Sequence, residues 1–74
     1  MVIWFYTTSG CHLCEEADAL LKEFQGIQIN VCDISESDAL IDLYGTRIPV
    51  LRRDNTSTEM GWPFDREDLV RFFG

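Results

Sequence analysis

The sequence predicts an α/β fold, in which a β-α-β-α-β-β-α order forms a four-stranded mixed sheet with helices on both faces. The first observation is Val2-Ile3-Trp4-Phe5-Tyr6, β-branched and aromatic throughout, which reads as a strand covered on both sides. The second is the alternation of strand-like and helical apolar spacing along the rest of the chain. The third is the length of the connections. Helical crossovers separate the early strands and imply parallel pairing of the first two, whereas the Asp54–Ser57 turn closes a hairpin and adds antiparallel strands.

After the first strand, Thr7 to Gly10 form a loop. Leu13, Ala17, Leu20, Leu21 and Phe24 recur at helical spacing and mark the core side of the first helix, with Gly26 as its stop. Ile27, Ile29 and Val31 alternate with Gln28, Asn30 and Cys32, the period of a strand. Ser35 or Ser37 caps a second helix that turns Ala39, Leu40, Leu43 and Tyr44 inward and ends at Gly45. Ile48 to Arg53 is the third strand and contains Pro49; the turn residues 54–57 then lead into a short return strand near Thr58–Met60. The last helix has the clearest start. Asp65 is its N-cap, Asp68 its third residue in an acidic version of the capping box, and Phe64 with Leu69 a hydrophobic staple. Leu69, Val70, Phe72 and Phe73 are its inward residues.

The 74 residues are read as a single domain, 1–74. A domain of this size buries only about 60% of its unfolded surface, so its small core must pack well. The 46% hydrophobic and 26% charged residues place the chain among ordinary globular domains rather than disordered or fibrous ones. No apolar run approaches the length of a membrane span, and no basic segment precedes Val2 as in a secretory signal. A net charge of −7 argues against nucleic acid or an anionic membrane as partner and leaves a basic protein open; its plainer effect is solubility. The three cysteines leave one odd, so no disulfide framework is expected. A reducing, cytoplasmic setting and a monomer are.

Cys11 and Cys14, in Gly10-Cys11-His12-Leu13-Cys14, carry the chemistry. They lie where a strand gives way to a helix, and one helical turn brings two sulfurs at this spacing within reach of each other. The helix start adds unpaired N–H groups and a positive dipole end, which stabilise a thiolate, the species that attacks a disulfide. Two other readings of the pair stand beside this one. A zinc site needs four ligands, and beyond the pair only Cys32 and the awkwardly placed His12 remain. Two inert core thiols are the blander reading. A permanent structural bridge is disfavoured because so small a loop removes little entropy from the unfolded chain.

Three segments make the chain resemble a glutaredoxin of the thioredoxin-fold superfamily. Tyr6-Thr7-x-x-x-Cys11-x-x-Cys14 is similar to that family's strand end and redox motif, Arg47-Ile48-Pro49 to its cis-proline tripeptide, and Gly61 with Asp65 to its glycine-aspartate segment. The likeness runs over essentially the whole chain. More narrowly, Gly-Cys-His-Leu-Cys-Glu-Glu-Ala and Arg-Ile-Pro-Val-Leu resemble an uncharacterised bacterial glutaredoxin-like subgroup. The resemblance implies a thiol–disulfide oxidoreductase with Cys11 as nucleophile and Cys14 as resolving thiol. It implies a cis Pro49 that presents the Ile48 backbone N–H and C=O to a substrate strand. It also implies a groove formed by Arg47, Ile48, Pro49, Gly61 and Trp62. His12, where the family often has proline, is a tuning residue: an imidazolium favours the thiolate, while Glu15 and Glu16 oppose it. Plainer readings are a solvated His12, a Pro49 that only blocks an edge, and a Trp62 that only covers core. Cys32 is read as a packed strand thiol.

Two departures concern glutathione. Thr8 stands where many glutathione-using members have a lysine for a glutathione carboxylate, and Trp62 where they have a second glycine. Arg47 is the remaining candidate for the lost charge. The expected partner is a disulfide-containing protein or a glutathione mixed disulfide. No tightly bound cofactor and no metal are expected. Electrons come from glutathione as co-substrate or from a thioredoxin-reductase-type flavoprotein. A non-enzymatic binding module with the same fold stands as the alternative, and a metal or iron–sulfur carrier as a third, less favoured because that branch has one active-site cysteine.

Overall fold

In a computed structural model covering residues 1–74, the strands are β1 (Val2–Thr7), β2 (Gln28–Asp33), β3 (Val50–Arg53) and β4 (Glu59–Gly61). The helices are α1 (His12–Leu21), α2 (Asp38–Tyr44) and α3 (Arg66–Phe73). The sheet order is β2-β1-β3-β4. β1 pairs in parallel with β2, as the helical crossover implies, and β3 pairs antiparallel both with β1 and with its hairpin partner β4. This is the mixed four-stranded, thioredoxin-like α/β arrangement.

Because β1 is apolar on both faces, a cluster forms on each side. Ile3, Phe5 and Leu51 meet Cys14, Ala17 and Leu21 of α1, Leu69 of α3 and Phe64 on one face. Tyr6 and Val50 meet Ile34 and Tyr44 on the other, under α2. The first cluster is an apolar core. The second is smaller and has a polar rim: the Tyr6 and Tyr44 rings stack at 4.3 Å, Tyr44 Oη donates to Glu59 at 2.6 Å, and Arg52 donates to Tyr6 Oη at 3.1 Å.

The caps follow the sequence. Asp65 and Asp68 form the reciprocal capping box at 2.9 and 3.0 Å, and Phe64 and Leu69 are both buried behind it. Of the two serine candidates, Ser37 caps α2. Ser35 instead belongs to a 3₁₀ turn, Ile34–Glu36, capped by Asp33. Gly10 and Gly26 adopt φ of 75° and 79°, left-handed turns into α1 and out of the segment that follows it.

Four residues predicted to face the core do not. Leu13, Ala39, Leu43 and Val70 are all exposed. The buried stripe of α1 runs Cys14–Ala17–Leu21 and leaves Leu13 at its margin. α2 has only 7 residues and turns one i, i+4 pair, Leu40 and Tyr44, toward the sheet. On α3, Leu69, Phe72 and Phe73 supply the packed face, so Val70 looks outward. β3 also begins at Val50 rather than Ile48, because Pro49 has no N–H to place in the ladder.

Candidate active site

The site lies beyond the carboxyl ends of the parallel pair β1 and β2, where chain connections diverge and α/β sheets form crevices. β1 ends at Thr7, the loop Thr8–Gly10 turns at Gly10, and Cys11 becomes the N-cap of α1. Cys11 and Cys14 are disulfide-bonded, with Cα atoms 5.2 Å apart. The Cys14 N–H donates to Cys11 Sγ at 3.2 Å. Cys11 is half-buried and Cys14 is 3% exposed. One sulfur is therefore reachable and sits on a helix N-terminal donor, while the other is enclosed by core. That asymmetry is what a nucleophile and a resolving thiol require.

The β3 side of the site is closed. The Ile48–Pro49 bond is cis. Tyr6 pairs with Val50, so Pro49 follows the ladder to a place beside Thr7 at the strand end. Val50 pairs with Gly61, and the next ladder contact is Trp62 N–H to Pro49 O at 3.1 Å. Trp62 meets Phe64 edge-on at 5.0 Å, and Trp62, Ile48 and Cys11 pack against the cluster that contains Cys14. Trp62 thus covers core beside Cys11. Two findings alter the expected substrate groove. The Ile48 N–H donates to Tyr44 O at 3.0 Å, so of the backbone pair expected to meet a substrate only the C=O is free. Arg47 is held by Glu59 at 2.8 Å and lies 5.4 Å over the Tyr44 ring, so its charge already has a counterion. Hydrogen bonds from Tyr44 and Arg47 hold the Glu59 carboxyl below its ordinary pKa.

The β2 side is open. A cleft of about 460 Å³ is lined by Thr8, Ser9, Cys11, Glu15, Asp18 and Val31, among others. Cys11, Glu15 and Asp18 fall on one stripe of α1, at i, i+4 and i+7. Val31 is 63% exposed because β2 is an edge strand. Asp33, at the end of β2, is kept below its ordinary pKa by the Ser35 N–H and hydroxyl, with a further hydrogen bond from Thr8. His12 is 84% exposed and stands 3.8 Å from both Glu15 and Glu16. Its imidazole therefore sits between two carboxylates in solvent.

Sequence reasoning brought Cys11, Cys14, Ile48, Pro49, Gly61 and Trp62 to one end of the sheet, and the fold places them there. It missed three things. Glu59, the counterion of Arg47, lies in a return strand that composition marks only as polar. The Trp62–Pro63 bond is also cis, and its only signal is the proline itself. The cleft was legible only as the helical spacing of Cys11, Glu15 and Asp18. Cys32 is a half-buried free thiol packed at the second cluster, and no three His, Cys, Asp or Glu side chains are grouped as metal ligands.

Comparison with known proteins agrees with this geometry. Two solved structures match at TM-scores of 0.87 and 0.78. The first, XcR50 from X. campestris, is 32% identical, with 96% of this chain and 93% of that one covered. The second, Ne2328 from Nitrosomonas europaea, is 31% identical, with 95% and 87% covered. A malarial protein at 17% identity and a TM-score of 0.62, with 97% of this chain and 91% of that one covered, shares the fold alone. Among curated proteins no significant match is found. The family model of the Glutaredoxin-like domain (DUF836) matches residues 2–74, and with the cysteine pair and cis-proline already in place, the chain belongs to that family.

Proposed function

We propose that this chain is a thiol–disulfide oxidoreductase that reduces polypeptide disulfides through Cys11 and Cys14. The observation that carries the reading is the asymmetry of the pair: a half-exposed Cys11 at a helix N-cap, joined to an enclosed Cys14. In the reduced chain, the Cys14 N–H and the α1 dipole favour the Cys11 thiolate. That thiolate attacks one sulfur of a partner disulfide. A Cys11–partner bond forms, the partner S–S bond breaks, and the other partner sulfur leaves as thiolate. Cys14 thiolate then attacks Cys11 Sγ, restoring the Cys11–Cys14 bond and releasing the second partner thiolate. Two electrons pass to the partner, whose thiolates take protons from water.

A thiol donor must then return two electrons. The β3 side supports a dithiol of a flavoprotein reductase system over glutathione. Thr8 offers no cation, Arg47 is paired, and the Ile48 N–H is occupied. A free third thiol suits a reducing, cytoplasmic setting.

The test is trapping. With a disulfide peptide, Cys14→Ser should accumulate a mixed disulfide at Cys11, seen as added mass, and Cys11→Ser should form none and lose reductase activity. Preferential alkylation of Cys14 in the reduced chain at neutral pH would reverse the roles. A coupled NADPH assay, run with glutathione and then with a thioredoxin-type reductase, identifies the donor.

A further inference from the structure

We infer that the partner disulfide is flanked by basic residues, which enter the acidic cleft on the β2 side of Cys11. This rests on the thiol–disulfide reading above and names its substrate class.

The cleft is lined in part by Cys11 and Cys14 and combines two kinds of wall. Glu15 and Asp18 supply carboxylates from α1, with Asp33 beyond Thr8 at the strand end. Exposed Val31 supplies an aliphatic surface. A lysine or arginine side chain has the matching build, an apolar stem below a cationic head. An acidic or short polar residue matches neither wall.

The distribution of the six cations strengthens the point. Lys22, Arg47, Arg66 and Arg71 are ion-paired with Asp18, Glu59, Glu23 and Asp68. Arg52 donates to Tyr6 Oη and to backbone carbonyls, and Arg53 lies over the Phe72 ring. Lys22 offsets Asp18 in part, but Glu15 and Glu16 face only His12. The approach to Cys11 is therefore anionic, within a chain of net charge −7. Such a field raises the encounter rate of cationic partners and lowers that of anionic ones, and salt screens both effects.

The experiment uses pre-reduced full-length chain and three disulfide-linked peptides. They share one core sequence, and the cysteine is flanked by lysines, serines or glutamates. Stopped-flow mixing gives the second-order rate of thiol release in low and high salt. The lysine peptide should react about tenfold faster than the glutamate peptide at low salt, and the ratio should collapse at high salt. Glu15→Gln with Asp18→Asn should reduce the ratio several-fold, whereas Asp42→Asn on α2, an equal type of charge change on the other face, should not. Using the ratio removes any effect of the substitutions on Cys11 reactivity itself. Equal rates for all three peptides, or a preference untouched by salt or by the double variant, would overturn the inference while leaving the oxidoreductase reading in place. Failure to reduce any peptide would overturn both.

Discussion

On the β3 side of the Cys11–Cys14 disulfide, the donors that could receive a ligand already have partners within the chain, and of the Ile48 backbone pair only the C=O is free. Ile48 N–H is bonded to Tyr44 O, Trp62 N–H to Pro49 O, and Arg47 to Glu59. On the β2 side, strand end, loop and helix leave a cleft whose carboxylates outnumber their cations. The two sides share one frame, the end of β1 and the start of α1. What differs is how far each has closed on itself. Closure on one side removes a small anionic ligand's anchors without touching the sulfurs, and openness on the other leaves room for a polypeptide. On the reading proposed above, the redox chemistry and the choice of partner rest on different residues.

The sharpest way to break that contrast is to reopen the closed side. Trp62→Gly removes the bulky aromatic from the β3 side, and Thr8→Lys, combined with it, adds a cation across the sulfurs, in the lining of the β2-side cleft. A charge-assisted hydrogen bond to a carboxylate contributes roughly 1.5–3 kcal/mol, about tenfold or more in affinity. The double variant should gain at least that factor in turnover of a glutathionylated peptide in steady state. No gain would mean that the β3 side does not set ligand choice. Trp62 also packs on Phe64, so the variant's folding is checked by circular dichroism before its rates are compared.

The difference between the sides also tracks what the sequence disclosed. Features fixed by local rules were legible: the two-faced β1, the Asp65–Asp68 box, the strand-to-helix position of Cys11, and the cis Pro49 through family likeness. Features that depend on which side chain meets which across the sheet were not. Glu59 and Arg47 are 12 residues apart, and only the β3–β4 hairpin brings them together. The cleft likewise needs Val31 of β2 beside Asp18 of α1, a meeting that no helical or strand period encodes. The exposed Leu13, Leu43 and Val70 fail for a related reason: apolar spacing tells that a helix has a face, not how wide a stripe its neighbours cover.

A middle-sized effect should come from the carboxylate that holds the closed side together. Glu59 accepts from Tyr44 and Arg47, and its folded pKa is depressed. A depressed carboxylate stabilises the fold above its unfolded pKa, and that contribution fades as pH falls through the lower folded value. Glu59→Gln keeps an acceptor but loses the charge, costing about 1 kcal/mol at pH 7. The gap between wild type and variant in urea midpoint should shrink below about pH 4. Tyr44 shifts the other way: burial, followed by its bond to Glu59, raises its pKa, so its contribution holds at neutral pH and is lost only as pH rises beyond the ordinary tyrosine range. A gap of constant size from acid to neutral pH would show that Glu59 acts by shape rather than by charge.

The smallest effect should be that of Arg47→Ala, and it decides the most delicate part of the comparison. Arg47 is the one cation on the closed side placed near enough in sequence to Pro49 to replace the missing lysine at Thr8. Its side chain is 47% exposed, so its pairing with Glu59 contributes only about 0.2–1 kcal/mol. Removing it should lower the urea midpoint slightly and change the rate on a glutathionylated peptide by less than about threefold, because a charge already neutralised attracts little. The argument turns on competition. If a glutathione carboxylate displaced Glu59 from Arg47, the substitution would remove a real anchor, and the rate would fall by tenfold or more while the lysine-flanked peptide kept its own. That outcome would reassign the closed side as a glutathione groove gated by Glu59. A rate that barely moves leaves Arg47 as a brace for Glu59 and Tyr44, and leaves recognition to the β2 side.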